Sequence, residues 1–205
     1  EIRGLDSGIV RIGTVSSVSC HWLPGIIRTF WQEHPNIQIV LHQGDYTSIP
    51  EWVRTGAVDF GFVSPQAVKG METISIKSGE FRAVLPKNHP LAKKKSLLLQ
   101  DLAEEPFLLL EEGAYSEPLE ALRTAGITPK VKLRVHDDYS ILSMVEQRLG
   151  VSVLTELVLH KTSYDVVTLP IEPPIIRTVT KDRRKLPLAS KEFIRCILEH
   201  KENLL

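Results

Sequence analysis

The sequence predicts an α/β protein built on parallel sheet, and three observations predict it. Short apolar runs with a β-branched bias alternate with stretches whose apolar residues recur at helical spacing. Glycine, proline or a hydroxyl-bearing residue punctuates most junctions between them. The order β-α-β-α-β appears early in the chain, recurs in its second half, and is followed by a returning C-terminal helix.

The first unit of the pattern is Gly8 to Trp31. Ile9, Val10 and Ile12 read as a buried strand, and Gly13 opens a polar turn. Thr14, Ser16, Ser17 and Ser19 crowd hydroxyls into that turn. Leu23, Ile26, Ile27, Phe30 and Trp31 then mark one face of a helix, which His34-Pro35 ends. A hydroxyl-rich turn after a parallel strand, leading into a helix, is where open α/β folds bind ligands. The free N–H groups and the helix dipole favour an anion there. The serines are equally suited to capping the helix.

Ile37, Ile39 and Leu41 alternate as the next strand, followed by a loop, Gly44 to Thr47. Ser48 and Glu51 form the capping-box pattern of a short helix that stops at Gly56. A strand over 58–63 and the Ser64-Pro65 turn close the first half.

Further strands are expected over 81–85 and 107–110, separated by the basic loop Lys87 to Lys95. Lys93 to Lys95 reads as a solvated face. Ser116 caps a helix with Pro118 in its first turn, ending at Gly126. Val131, Leu133 and Val135 alternate as a strand. Asp137 or Asp138 caps a helix carrying Ile141, Leu142, Val145 and Leu149 inward, stopped by Gly150. A strand over 151–154 comes next, with Thr155 capping a short helix. Strands over 166–171 and 175–180 flank Pro173-Pro174, and Ser190 caps a last helix with Phe193, Ile194, Ile197 and Leu198 inward.

Composition narrows the function. The 205 residues leave room for one large domain or two small ones. Lys plus Arg equals Asp plus Glu at 25 each, so no basic excess marks this chain as a nucleic-acid binder. No apolar run approaches the ~20 residues that span a membrane. The chain begins at Glu1 rather than Met and reads as an excised piece. Cys20 and Cys196 are far apart without metal spacing, which fits a reducing, cytoplasmic compartment. Cys20, placed near a helix N-terminus, could act as a redox sensor; a small buried residue is the simpler reading. Hydrolase, phosphate-loop and dinucleotide motifs are absent, and the seven histidines lack ligand spacing. No catalytic residue, metal or cofactor is therefore expected.

An ordered set of residues resembles the effector-binding domain of LysR-type transcriptional regulators. The set is Gly8-x-x-Arg11-Ile12-Gly13, Leu23-Pro24 with Phe30 and Pro35, Gly56-x-x-Asp59, His89-Pro90-Leu91-Ala92, Asp101-Leu102 with Pro106-Phe107, and Leu149-Gly150-Val151 to Leu154. It covers nearly the whole chain. The chain departs from the family at Gln147 and Arg148, where small residues are usual, and at Thr155, where proline is common.

The resemblance implies two Rossmann-like lobes joined by two crossover strands, similar to type 2 periplasmic binding proteins. Lobe I is then 8–79 plus 179–205, lobe II is 80–178, and residues 1–7 are the end of a linker helix. The effector, a small anion, is expected among Thr14, Ser16, Ser17, Asp45, Tyr46, Thr47 and Ser64 of lobe I. Tyr115, Ser116, Asp138 and Tyr139 of lobe II are expected to face them. The resemblance also implies a homodimer, with Arg28, Trp31, Met144 and Arg148 near the contact, and a tetramer in the full-length protein. DNA is expected to be bound only through a winged helix-turn-helix outside this chain. A periplasmic solute receptor of the same fold is the alternative; an enzyme is a third.

Overall fold

The computed structural model describes residues 7–182 and 185–205, so the expectation for Glu1 to Ser7 lies, Ser7 apart, outside the described residues. The chain divides into two compact units. Unit 1 holds residues up to Ser78 and then Thr178–Leu205, and unit 2 is Gly79–Arg177. Among the described residues no helix is long and apolar enough to cross a membrane.

Unit 1 begins with β1 (Gly8–Thr14), α1 (Ser16–His21), α2 (Leu23–Glu33), β2 (Ile37–Gln43), α3 (Ser48–Thr55) and β3 (Phe60–Val63). β1 is the central strand, parallel to β2 from Gly8↔Ile37 to Thr14↔Gln43 and parallel to β3 at Ile12↔Phe60. Asp59 locks this arrangement: its carboxylate accepts the Arg11 N–H at 2.7 Å, and its own N–H donates to the Arg11 carbonyl at 2.8 Å. One face of the sheet is covered by α2 and by α7 (Leu188–His200), through Phe30, Phe60 and Phe193. Phe30 and Phe193 meet edge to face at 5.0 Å, and all three are fully buried. Each such ring stabilises the unit by roughly 1.5–3 kcal/mol. α3 packs so closely that a Cβ on Gly61 would lie 2.4 Å from Ile49.

The described strands of unit 2 start within β4 (Thr73–Pro86) and continue through β5 (Leu97–Leu98), β6 (Pro106–Leu110), β7 (Lys130–Val135), β8 (Ser152–Thr155) and β9 (Val166–Glu172). Its helices are α4 (Glu117–Thr124), α5 (Asp138–Glu146) and α6 (Glu156–Leu159). β4 pairs antiparallel with β8 and β9, and β6 lies parallel to β7. The period of two along these strands sorts side chains into two cores. Phe107 and Leu109 join Ala83, Leu85 and Val153 under Leu122 of α4. Leu108 and Leu110 join Val84 and Leu154 under Ile141, Leu142 and Val145 of α5. β4 and β10 (Ile176–Asp182) are the two strands that pass from one unit into the other, and β10 pairs antiparallel with β3.

Several local expectations are corrected. The polar turn after β1 is helical: Ser16, Ser17, Ser19 and Cys20 all lie in α1, whose N-cap is Val15 with no side-chain cap. Ser19 Oγ returns to the Val15 carbonyl at 2.9 Å, so the hydroxyl is absorbed by its own helix. α3 is not opened by a Ser48–Glu51 box. Asp45 does that work, and Glu51 pairs with Arg54 instead. α5 stops at Glu146, not Leu149. Arg148 turns left-handed at φ 64° and throws Leu149 outward, 55 % exposed. Gly150 serves a close approach rather than a helix stop, since a Cβ there would sit 2.3 Å from the Pro106 carbonyl oxygen. Ser190 is buried inside the first turn of α7, whose N-cap is Pro187. Cys20 lies in the last turn of α1, two residues before the N-cap of α2, and is exposed rather than buried; Cys196 is the buried thiol. The strand expected over 81–85 begins eight residues earlier, at Thr73.

Candidate binding site

The parallel strands β1 and β3 end side by side, so register alone brings together the residues just beyond each strand. Thr14 and Ser64 emerge at these ends fully buried, and Ser17, one turn into α1, is 2 % exposed. Thr14 Oγ1 donates to the Val15 carbonyl at 3.2 Å and approaches Ser19 Oγ at 3.5 Å. Ser64 Oγ is 3.0 Å from Gln66 Oε1. Ser16 Oγ accepts from Gln43 Nε2, tying α1 to the end of β2. The hydroxyl cluster therefore exists, but much of its capacity is committed to the backbone and to near neighbours. α1 has six residues, too short for the strong dipole assumed for the turn.

The loop after β2 is organised by Asp45. Its Oδ1 accepts from Thr47 N at 2.9 Å and from Ser48 N at 2.7 Å. Tyr46 is buried, while Thr47 is exposed. Both line a groove of about 610 Å³ within unit 1, with Arg54 and Lys69 on its walls. Asp45 Oδ1 thus holds the loop, and Tyr46 and Thr47 border an open surface.

In unit 2, Ser116 is the N-cap of α4, accepting from Leu119 N at 3.4 Å. Tyr115 and Ser116 line a pocket of about 290 Å³ with Arg123 and Arg134, which pair with Glu120 and Glu111. Burial, reinforced by Glu117, Glu120 and Glu112, pushes the Tyr115 phenol up to about 12. Asp138 and Tyr139 open α5, both half-buried, with Asp137 as the N-cap. Burial pushes the Asp138 carboxyl up to about 6 against the pull of Arg177. Arg177 is a buried cation absent from the expected site. An arginine in an alternating strand gives no local sign of burial; only its partners reveal it.

A family profile described as the LysR substrate binding domain matches residues 3–202. The chain belongs to the LysR substrate-binding-domain family. This member is 31% identical over 197 residues to the HTH-type transcriptional regulator YvbU of Bacillus subtilis, covering 94% of this chain and 67% of that protein. It is 31% identical over 199 residues to the transcriptional dual regulator GltC of the same organism, covering 91% of this chain and 66% of that one. This LysR-family chain thus spans about two thirds of the length of these relatives. Its fold matches the effector binding domain of QuiR in complex with shikimate, with a TM-score of 0.85 over 96% of this chain and 98% of that one, at 24% identity. The LysR substrate-binding-domain fold, two α/β units joined by two strands, is therefore the one this sequence adopts.

Proposed function

We propose that this domain senses a small-molecule effector for a LysR-type regulator and performs no chemistry on it. The observation that carries the reading is the set of buried hydroxyls, Thr14, Ser17 and Ser64, gathered at the carboxyl ends of parallel strands. Buried polar groups are costly unless they serve a partner or the fold, and strand ends are where such folds hold ligands. The shikimate bound by the QuiR domain supports a small anion as effector.

In this reading residues 8–79 with 179–205 form lobe I and residues 80–178 form lobe II. The effector engages Thr14, Ser16, Ser17, Asp45, Tyr46, Thr47 and Ser64 from the first, and Tyr115, Ser116, Asp138 and Tyr139 from the second. Binding biases the balance between open and closed lobes, and the whole protein passes that bias to DNA through a segment outside this chain, in the cytoplasm. The domain pairs as a homodimer through α2 and α5. In support, Trp31 is 45 % exposed, Arg28 and Arg148 are exposed, and Met144 is half-buried.

The test is a thermal-shift screen of small organic acids, repeated with Ser17→Ala. A ligand at 100 times its dissociation constant stabilises by about 2.7 kcal/mol. The expected result is a hit whose shift is largely lost in the variant. A hit unaffected by Ser17→Ala moves the site elsewhere, and conversion of any hit to product ends the non-enzymatic reading. Sedimentation of the wild type and of Met144→Glu tests the dimer.

A further inference from the structure

The groove within unit 1 follows from the way the chain leaves β3. A turn closes there, with the Ala67 N–H donating to the Ser64 carbonyl at 3.0 Å. Gly70 takes φ 75°, a left-handed step, and Met71 leads towards β4. Residues 67–71 form one wall of the groove, and α3, with Tyr46 and Thr47 before it, forms the other. The enclosed volume of about 610 Å³ is that of a site for a small organic molecule.

The apolar lining belongs to the core. Tyr46, Val53 and Val68 are buried, and Pro50 and Met71 are half-buried beside them. Val53 also lies against Gly61 of β3, where a Cβ would come within 3.3 Å of it. Side chains packed in this way hold the groove's shape without a ligand.

The charges are at the rim. Among the described residues of the groove, Glu51 is the one acid, and Arg54 and Lys69 are the cations. Glu51 accepts from Arg54 Nε at 3.0 Å and from Arg54 Nη2 at 2.6 Å, so that pair cancels. Lys69, exposed on the opposite wall, is left as the net charge. A neutral guest leaves Lys69 unused, and a cationic one meets it head on. An acid with an apolar body answers both the lining and the charge.

We propose that this groove is a second ligand site, for an organic anion whose acid group lies at Lys69 and whose apolar body lies on Pro50, Val68 and Met71. The proposal goes beyond effector sensing and does not depend on it. The groove shares Tyr46 and Thr47 with the contacts proposed for the effector, but Thr14, Ser16, Ser17 and Ser64 do not line it. An exposed ion pair alters affinity by only about fivefold, so the apolar body supplies most of the binding and Lys69 selects for the acid.

The probes are 2-naphthoate and its uncharged counterpart 2-naphthamide, titrated separately into the 15N-labelled chain while the backbone amides are followed. The expected result is saturable movement of the Val68, Lys69 and Gly70 amides with both probes, and binding of naphthoate tighter by about threefold to tenfold. Lys69→Glu, at an exposed position and with its fold read from the same spectrum, abolishes or reverses that preference and leaves naphthamide affinity unchanged. Raising salt from about 50 to 500 mM removes most of the preference as well. Ser17→Ala leaves both titrations as they were. Absence of saturable movement in residues 67–71 overturns the site. Equal affinity for the two probes, or a preference that survives Lys69→Glu, overturns the anion as its ligand. Movement at Thr14 and Ser17 with residues 67–71 still assigns the probes to the strand ends, which overturns the groove and leaves the effector-sensing reading intact.

Discussion

Asp45 Oδ1 accepts the backbone N–H of Ser48 at 2.7 Å, and Ser48 Oγ in turn accepts the N–H of Asp45 at 2.9 Å. The two residues close the loop between β2 and α3 on itself. This reciprocal pair supplies what a capping box supplies, displaced toward the N-terminus. Asp45→Ala is therefore expected to destabilise the chain by about 1–2 kcal/mol. Urea unfolding at neutral pH measures it, and a change within error would mean the loop is held by something else.

Arg148 adopts φ 64°, a conformation that glycine enters without steric cost. Arg148→Gly is expected to stabilise the isolated domain by about 0.5–1 kcal/mol, less the entropy that glycine adds to the unfolded chain. Calorimetry reads this directly. The same variant weakens the dimer if Arg148 lies near the proposed contact.

At Gly150 a Cβ would meet the Pro106 carbonyl oxygen at 2.3 Å, and that carbonyl accepts the Val151 N–H at 2.9 Å. Backbone cannot swing aside as a side chain can. Gly150→Ala is expected to cost more than about 2 kcal/mol, or to leave the domain unfolded. A variant of wild-type stability refutes the close approach.

Asp138 has its carboxyl held up at about 6 in the folded chain, above its ordinary value of 3.8. The folded state therefore keeps a proton that the unfolded chain has already released. This group's contribution to stability is most favourable below the ordinary value and is lost as pH rises through the folded one. Asp138→Asn should nearly match wild type at pH 4 and exceed its stability at pH 7.5 by about 2–3 kcal/mol. An equal offset at both pH values removes the titration from the account.

Cys20 is exposed and Cys196 is buried, with burial raising the Cys196 thiol above its ordinary range. A chromogenic disulfide reagent should therefore titrate one thiol promptly in the native chain and the second only after unfolding. Cys20→Ser should abolish the prompt reaction.

The strands and helices were legible because their signals are local. The alternation at Val131, Leu133 and Val135 and the helical spacing at Leu23, Ile26 and Phe30 each reflect one element meeting one face of a core. Thr155 and Ser116 were readable as caps for the same reason, since a cap bonds within its own first turn. The family, too, was legible, because its residues recur in fixed order along the chain. What the sequence left open depended on partners distant along it. Ser48 had the right spacing for a cap, yet the geometry of the loop handed that role to Asp45. Leu149 continued the helical period, but the close passage of Gly150 by Pro106 turned it out to solvent. The hydroxyls after β1 looked available for a ligand until α1 bound one of them to its own backbone. Arg177 carries no mark in its own neighbourhood, and only folding sets it against Thr155 and Asp138. Periodicity is a property of a single element and survives in the sequence; burial of a charge and the closeness of two backbones are properties of pairs, and exist only once the tertiary structure has formed.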